Sequence, residues 1–478
     1  MIAVSPPGIN GRVPLTTTNL AVIITMNHLP PDQLASQNQP DLASLGDHGA
    51  LVSFQHAPTR QQKIANDNRR LRSTGYRPAT WWQRRLLAAL TPLAAGQLRL
   101  IFPHGESALL IGTSSHQQDS HQSADSLSAQ LHFHNWRPIR RLMLEGAVGF
   151  LESYGDGDWS SPDITALLRL ASHNRQSWSQ ALQGKWWVRQ INRLHHGLRR
   201  NSRSGSRRNI AAHYDLGNDF YRLWLDDTMT YSAALFESPD QSLAEAQRAK
   251  YRALARALQL QPGQQVLEVG CGWGGFAELA AQEFGVTVTA LTISQAQYQA
   301  VVQRVAEAGL QDRITVRLCD YRDVVGQYDA IASIEMFEAV GEAFWPVYFS
   351  KLHQLLKPSG RAGLQVITID HADFPRYRNR VDFIQKHIFP GGMLPSLTIL
   401  DNLTAAVGMQ PVASHSFGQD YARTLQRWRQ DFLANRTAIS AAGYDERFLK
   451  LWEIYFCYCE AGFQTGQLDV HHLVYQQT

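Results

Sequence analysis

The stretch Val266-Leu-Glu-Val-Gly-Cys-Gly-Trp-Gly-Gly275 decides the fold. Its first residues, Val266 to Val269, read as a buried strand. Gly270, Gly272, Gly274 and Gly275 crowd the turn after it, and Ala277, Glu278 and Leu279 open a helix. Glycines packed at a strand end let backbone N–H groups approach a ligand at a helix N-terminus. Dinucleotide enzymes use G-x-G-x-x-G around a pyrophosphate, whereas the spacing here is G-x-G-x-G-G. With Glu268 just ahead of the first glycine, the E-x-G-x-G form suits a ligand without phosphates that carries a charged amino-acid end, such as S-adenosylmethionine. A structural turn in some other α/β sheet is the competing reading of this stretch alone.

Strands and helices alternate outward from it. Helix Leu243–Leu258 precedes strand Val266–Val269. Helix Gly275–Glu283, strand Thr287–Leu291, helix Gln295–Ala308, strand Thr315–Leu318, strand Ala330–Ile334 and helix Trp345–Leu355 follow. This is the pattern of an α/β, doubly wound, Rossmann-like sheet, whose ligands bind outside the carboxyl ends of the strands. The glycine turn, Thr292 with Ser294, Asp320 with Tyr321, and Glu335 with Glu338 all fall at that edge. After the second strand a dinucleotide enzyme would carry an acid for the ribose. Thr292, Ser294 and Gln297 stand there instead, as neutral partners for ribose hydroxyls or a carboxylate, or as an ordinary helix cap.

At 478 residues the chain is long for one domain. Residues 1–74, rich in Pro, Gln, Asn, Asp and Ser, are expected to be disordered. A smaller α+β domain is expected over 75–201. It would contain a helix from Trp82 to Leu90, strands Leu98–Phe102, Ala108–Gly112 and Ala129–Phe133, and one helix from Arg140 to Phe150. A basic linker over 202–208 leads to the second domain, 209–478. No Asp or Glu occurs between Ile164 and Tyr214, where ten Lys or Arg do. Within that span Lys185–Arg208, with Trp186 and Trp187, suits an anionic membrane surface, a nucleic acid or a solvated linker. The four cysteines do not make a disulfide framework, and a reducing, cytoplasmic setting is expected. No metal site is expected. Cys457-Tyr-Cys459 lacks C-x-x-C spacing, and Asp156-Gly-Asp158 lacks the rest of a calcium loop. No apolar run approaches the length of a membrane span.

Six motifs in order make the reading specific. They are His213-Tyr-Asp-Leu-Gly-Asn-Asp-Phe, Thr230-Tyr-Ser, Leu267-Glu-Val-Gly-Cys-Gly-Trp-Gly-Gly, Leu291-Thr-Ile-Ser, Phe337-Glu-Ala-Val-Gly and Ile388-Phe-Pro-Gly-Gly-Met-Leu-Pro-Ser. Together they resemble the cyclopropane-fatty-acyl-phospholipid synthases and the mycolic-acid cyclopropane synthases from about Asn209 to Val474. A weaker resemblance to the bacterial enzymes' N-terminal domain runs from Leu98 to Asn201. The resemblance implies a class I methyltransferase that moves a methyl group from S-adenosylmethionine to the cis double bond of a phospholipid acyl chain, forming a cyclopropane. A methyl-branched or methylene product, with a reductase partner for the former, is the near alternative. A nucleic-acid methyltransferase or binding protein is the distant one, although the Asn/Asp-Pro-Pro-Tyr signature of amino-methylating enzymes is absent. The implied setting is the inner face of the membrane, as a peripheral protein, with a homodimer among the expected states.

By motif, Tyr231, Ser232, Gly270, Gly272, Thr292, Gln297, Tyr321 and Arg322 would contact the donor. Glu268, Gly274 and Ser294 join them from the reading of the residues. The resemblance also implies a bound bicarbonate as the base, and here the chain departs from the pattern. Ala233 replaces the cysteine after the Tyr-Ser pair, Gln365 replaces a histidine, and Ala339 replaces the histidine after the motif glutamate. Glu338, Tyr421 and the Ile367 backbone remain. Gln365 can bond an oxyanion but cannot carry a proton. Glu335, where those synthases have a small residue, adds a carboxylate three positions before Glu338. On a helix the two would share a face and one could be raised toward base function, unless Glu335 serves as a cap or a donor ligand. Cys459 aligns with a late cysteine sometimes assigned as catalytic, and otherwise reads as a packed core residue.

Overall fold

A computed structural model describes residues 80–112, 127–178 and 216–477. The segment 1–74, the basic stretch Lys185–Arg208 and His213 lie outside the described residues.

The first described helix, α1 (Trp81–Leu90), starts at a reciprocal cap. The Gln83 amide donates to Thr80 Oγ1 (3.2 Å), and the Thr80 amide donates to the Gln83 side chain (2.7 Å). Strands β1 (Gln97–Ile101), β2 (Ser107–Ile111) and β3 (Ser128–Phe133) follow with alternating burial, as period-2 side chains require. The expected single helix from Arg140 to Phe150 is instead two, α2 (Arg137–Glu145) and α3 (Ala147–Gly155). Gly146 divides them at φ 73°, a backbone that L side chains resist and that turns the chain between the helices. After the short strand β4 (Trp159–Ser160), α4 (Ile164–His173) is capped by Asp163, which accepts from the Ala166 amide. The small sheet runs β2-β1-β3-β4, with β1 and β3 parallel and the other pairs antiparallel.

The larger sheet begins after α5 (Leu243–Ala257). Its elements are β5 (Gln265–Val269), α6 (Gly275–Phe284), β6 (Thr287–Thr292), α7 (Gln295–Glu307), β7 (Ile314–Leu318), β8 (Tyr328–Ile334), α8 (Trp345–Leu355) and β9 (Leu356–Ile369). Then come α9 (Leu397–Ala405), β10 (Met409–Ser416), α10 (Gly418–Ala434), α11 (Glu446–Gln464) and β11 (Leu468–Gln477). The strand order is β10-β11-β9-β8-β5-β6-β7. Strands β5 to β9 are parallel, as the alternation predicts. Strand β11 is antiparallel to both its neighbours. The cause is the helical hairpin α10–α11, which returns the chain to the end where β10 stopped, so that Ser416 pairs with His471.

That hairpin also joins the two sheets. Helix α11 packs on α3 and α4, and one apolar core runs from Leu98, Leu131 and Trp159 to Trp428, Trp452 and Phe456. Burying aromatic side chains of this size contributes on the order of 2–3 kcal/mol each, before ordering costs. No helix among the described residues is long and apolar enough to cross a membrane.

Candidate active site

A single cavity of about 640 Å³ runs from the small sheet to the carboxyl edge of the large one. Leu86, Leu98, Leu131, Leu142 and Leu167 line its apolar body, and Gly270, Gly272, Thr292 and Tyr321 line its other end.

At that end the glycine turn behaves as its spacing requires. Gly270 has φ 82°, and a Cβ there would lie 2.6 Å from Met336 Cγ, so no side chain fits. Gly272 lines the cavity, while Gly274 sits one step back as the left-handed N-cap of α6. Glu268 is buried and accepts from the Ala277 amide, and burial pushes its carboxyl up to about 8. Its Oε2 has no partner among the described residues. At the end of β6, Thr292 Oγ1 donates to Gln297 Oε1 (2.9 Å), and both residues line the cavity. Ser294 instead caps α7, accepting from the Gln297 amide (3.3 Å), and does not line the cavity. Arg322 binds Asp320 through two nitrogens (2.8 and 2.6 Å), which fixes the turn carrying Tyr321. Burial raises the Tyr321 hydroxyl to about 12.

Opposite the glycines, Tyr231 packs among Trp224, Phe389 and Trp428, and its hydroxyl lies 2.8 Å from that of Tyr455. Ser232 accepts a 2.6 Å hydrogen bond at Oγ from Lys250 Nζ. Lys250 is 0% exposed, and burial pushes its ammonium down to about 7 although Glu335, Asp226 and Glu268 pull it up. An ammonium has only donors, so the Ser232 hydroxyl hydrogen is left to point away from Lys250. The sequence reading missed Lys250. Its signal was position, since it falls between Ala246 and Leu254 at fourfold spacing on the buried stripe of α5.

The carboxylate pair is arranged differently from the expected helix face. Glu335 follows β8 in a left-handed backbone (φ 47°), and Glu338 belongs to a separate 3₁₀ turn, Phe337–Ala339. They still meet at one wall of the cavity. Glu335 Oε1 accepts from the Ala233 amide (2.8 Å) and from Gln365 Nε2 (2.8 Å), and Oε2 accepts from the Tyr421 hydroxyl (2.6 Å). Burial raises the Glu335 carboxyl, while those three hydrogen bonds and Lys250 favour its ionised form. Glu338 accepts from the Ile367 amide (2.6 Å), and burial followed by the Glu335 charge pushes it up to about 8. Burial thus holds both carboxyls of this wall above the ordinary carboxylate range.

Gln365 is held by a residue that the sequence reading also missed. Its Oε1 accepts from His472 Nε2 (2.9 Å), so its Nε2 is fixed toward Glu335 and the Ala233 carbonyl. Burial lowers His472 to about 3, which keeps it neutral. His472, in β11, stands directly opposite Gln365 in the adjacent β9, a pairing that only strand register reveals. Cys459 lines the cavity, and burial pushes its thiol well above the ordinary value, which withholds a nucleophilic thiolate.

A donor held against bare glycine backbone and an apolar acceptor enclosed beside it are the two requirements of an S-adenosylmethionine-dependent lipid methyltransferase. The chain is one: residues 201–473 match the mycolic acid cyclopropane synthetase family, and it belongs to that family. It is 41% identical over 362 residues to the tuberculostearic acid methyltransferase UfaA1 of Mycobacterium tuberculosis, covering 73% of this chain and 83% of that one. To the cyclopropane-fatty-acyl-phospholipid synthase of Escherichia coli it is 35% identical over 346 residues, covering 71% and 85%. Among solved structures it is similar to mycolic acid cyclopropane synthase CmaA1 complexed with SAH and CTAB. That match has 35% identity, a TM-score of 0.54, and coverage of 57% of this chain and 98% of that one.

Proposed function

We propose that the protein methylates the cis double bond of an unsaturated phospholipid acyl chain and that Glu335, in place of a bound bicarbonate, removes the proton that follows. One observation carries this reading. The Glu335 carboxylate accepts from the Ala233 amide, Gln365 and Tyr421, the groups to which the family resemblance assigns bicarbonate. A planar oxyanion of the chain's own already satisfies those donors.

S-adenosylmethionine, when bound, supplies an electrophilic methyl group. Gly270, Gly272, Tyr231, Ser232, Thr292, Gln297, Tyr321, Glu268 and Arg322 are the cavity residues fitted to hold it. The alkene π electrons would form the new bond to that methyl carbon as its bond to sulfur breaks, the sulfur keeping the electron pair and leaving as S-adenosylhomocysteine, and positive charge appears on the neighbouring acyl carbon. The cavity keeps water from that charge with leucines, and Tyr231, Phe389, Tyr455 and Phe463 offer aromatic faces to it. After a hydride shift puts the charge on the methyl-bearing carbon, Glu335 takes a proton from the methyl group. The released electron pair becomes a double bond between the cationic chain carbon and the former methyl carbon, and Glu335 then gives its proton to solvent. A methylene acyl chain results, which a reductase partner could convert to a methyl branch.

The 41% identity to a tuberculostearic acid methyltransferase supports this product. Cyclopropane closure is the second reading, supported by the family and by the Escherichia coli relative. There the same proton leaves without a hydride shift and the electron pair closes a ring. Mass spectrometry of phospholipid acyl chains, after expression in a host without its own synthase, separates the two. Methylene or methyl-branched chains are expected, and a ring product alone overturns the first reading. Purified enzyme should also keep its rate when bicarbonate is stripped from the buffer.

A further inference from the structure

The apolar body of the cavity ends among the elements of the small sheet. Leu98 of β1, Leu131 and Phe133 of β3, Leu86 and Leu90 of α1 and Leu142 of α2 line it there. None of the six is more than 6% exposed. They are core positions: Leu131 and Phe133 lie two apart on the buried face of β3, and Leu86 and Leu90 four apart on the buried side of α1. These elements therefore pack around a space instead of filling it with their own side chains. Protein interiors normally close such voids, because the lining side chains forfeit contacts on the empty side. A void that stays open and is continuous with the donor end is built for an occupant.

The chemistry of the walls limits what that occupant is. Trp178 also lines this end, and its Nε1 donates to the Leu90 carbonyl (3.1 Å), so its one hydrogen is already used. An ester or a headgroup would lose its water here and find no partner among the leucines. With all six lining side chains buried, the end is blind. A blind apolar end takes the terminus of a chain and not its middle, and the apolar terminus of an acyl chain is its methyl end.

We infer that the small sheet and its helices receive the methyl-terminal segment of the acyl chain, and that the depth of this end selects the double bond that is methylated. This rests on the lipid-methylation reading and adds positional selectivity to it. The reacting carbons must lie at the donor end, against the glycine turn and Glu335, while the terminal methyl meets Leu98, Leu131 and Phe133. The length of chain between those two points is then set by side chains. A longer tail cannot bring its double bond up to the donor, and a shorter one leaves part of the end unfilled.

The test uses three phosphatidylcholines in micelles of one neutral detergent. Their acyl chains have sixteen carbons with the cis double bond at carbon nine, eighteen with it at carbon eleven, and eighteen with it at carbon nine. The first two share the length beyond the double bond, and the first and third share the length before it. In Leu131→Phe the larger side chain shortens the blind end. There kcat/KM for the third chain, relative to each of the first two, should fall about tenfold or more from the wild-type ratio. Phe133→Leu deepens the end and should move that ratio the other way, which keeps the inference testable if Leu131→Phe does not fold. Donor affinity, measured by calorimetry, should stay as in wild type for both variants. If the first and third chains move together, the end holds the carboxyl side of the chain and the inference fails. An equal change on all three chains, or no change, also overturns it. A wild type that binds S-adenosylmethionine yet methylates none of the three refutes the lipid-methylation reading instead.

Discussion

Glu335→Gln separates a base from a scaffold. Glutamine keeps the shape of the side chain, and its carbonyl can still accept from the Ala233 amide and Gln365 Nε2. Only the third contact must change: the Tyr421 hydroxyl, now a donor at 2.6 Å, would have to accept from an amide instead. Rearranging one hydrogen bond costs about 1 kcal/mol of stability, so the variant should fold and melt within a few degrees of wild type. Loss of a general base removes about 100- to 10,000-fold in rate, which is roughly 3–5 kcal/mol in the barrier. The catalytic effect should therefore far exceed the structural one. The assay is transfer of an isotopically labelled donor methyl to phospholipid, with donor affinity measured by calorimetry and expected to move little. A variant keeping more than about a tenth of wild-type kcat refutes the assignment. Glu335→Gly extends the test, since glycine tolerates φ 47° and leaves the oxyanion donors empty. Added bicarbonate or formate should then restore part of the rate, and a wild-type enzyme that itself slows without bicarbonate would count against a built-in base.

Lys250→Met should move the acid limb of the kcat/KM profile to higher pH, because Glu335 loses a neighbouring cation that favours its ionised form. The effect should be largest below about pH 7, where Lys250 is charged, and an unchanged profile would limit Lys250 to packing. Gly270→Ala forces a side chain into φ 82° and against Met336, so donor affinity should fall by about tenfold or more and stability by roughly 1–3 kcal/mol; calorimetry and urea midpoints read the two. For Glu338→Gln the signal is pH-dependent stability. The native carboxyl, raised from 4.5 to about 8, contributes stability fully below 4.5 and loses it as pH rises through 8. That span corresponds to at most about 5 kcal/mol. The neutral variant should therefore gain on wild type in urea unfolding at pH 9 relative to pH 5, and a pH-independent difference would mean that Glu338 is ionised throughout.

Much of this was legible because it is local. The glycine turn and the alternation of β5 to α8 depend on neighbours along the chain, and both sheet and turn stand where the periodicity puts them. What escaped depends on register or on a single backbone angle. Gly146 inside an apolar helical run gives no local sign that it will stop the helix, because a glycine within a helix is merely unfavourable. Glu335 and Glu338 are three apart, yet the helix that this spacing implies requires φ values that Glu335 does not take. His472 lies 107 residues from Gln365 and meets it through antiparallel pairing of the last strand. Departures from the family pattern at Ala233 and Gln365 were visible as losses. That Glu335 accepts from the Ala233 amide, Gln365 and Tyr421 required the contacts themselves.

The left-handed backbone at Glu335 has a physiological reach. Held by three hydrogen bonds in a conformation that costs a non-glycine residue on the order of 1 kcal/mol, the carboxylate is ordered before substrate arrives. A synthase that borrows its anion from solution works at a rate set in part by dissolved inorganic carbon, and so by respiration, carbon dioxide tension and external pH. If Glu335 is the base, as proposed, the anion is encoded in the chain and lipid methylation is uncoupled from those variables. Cells making this protein could then alter their acyl chains at the same pace whether carbon dioxide is plentiful or scarce.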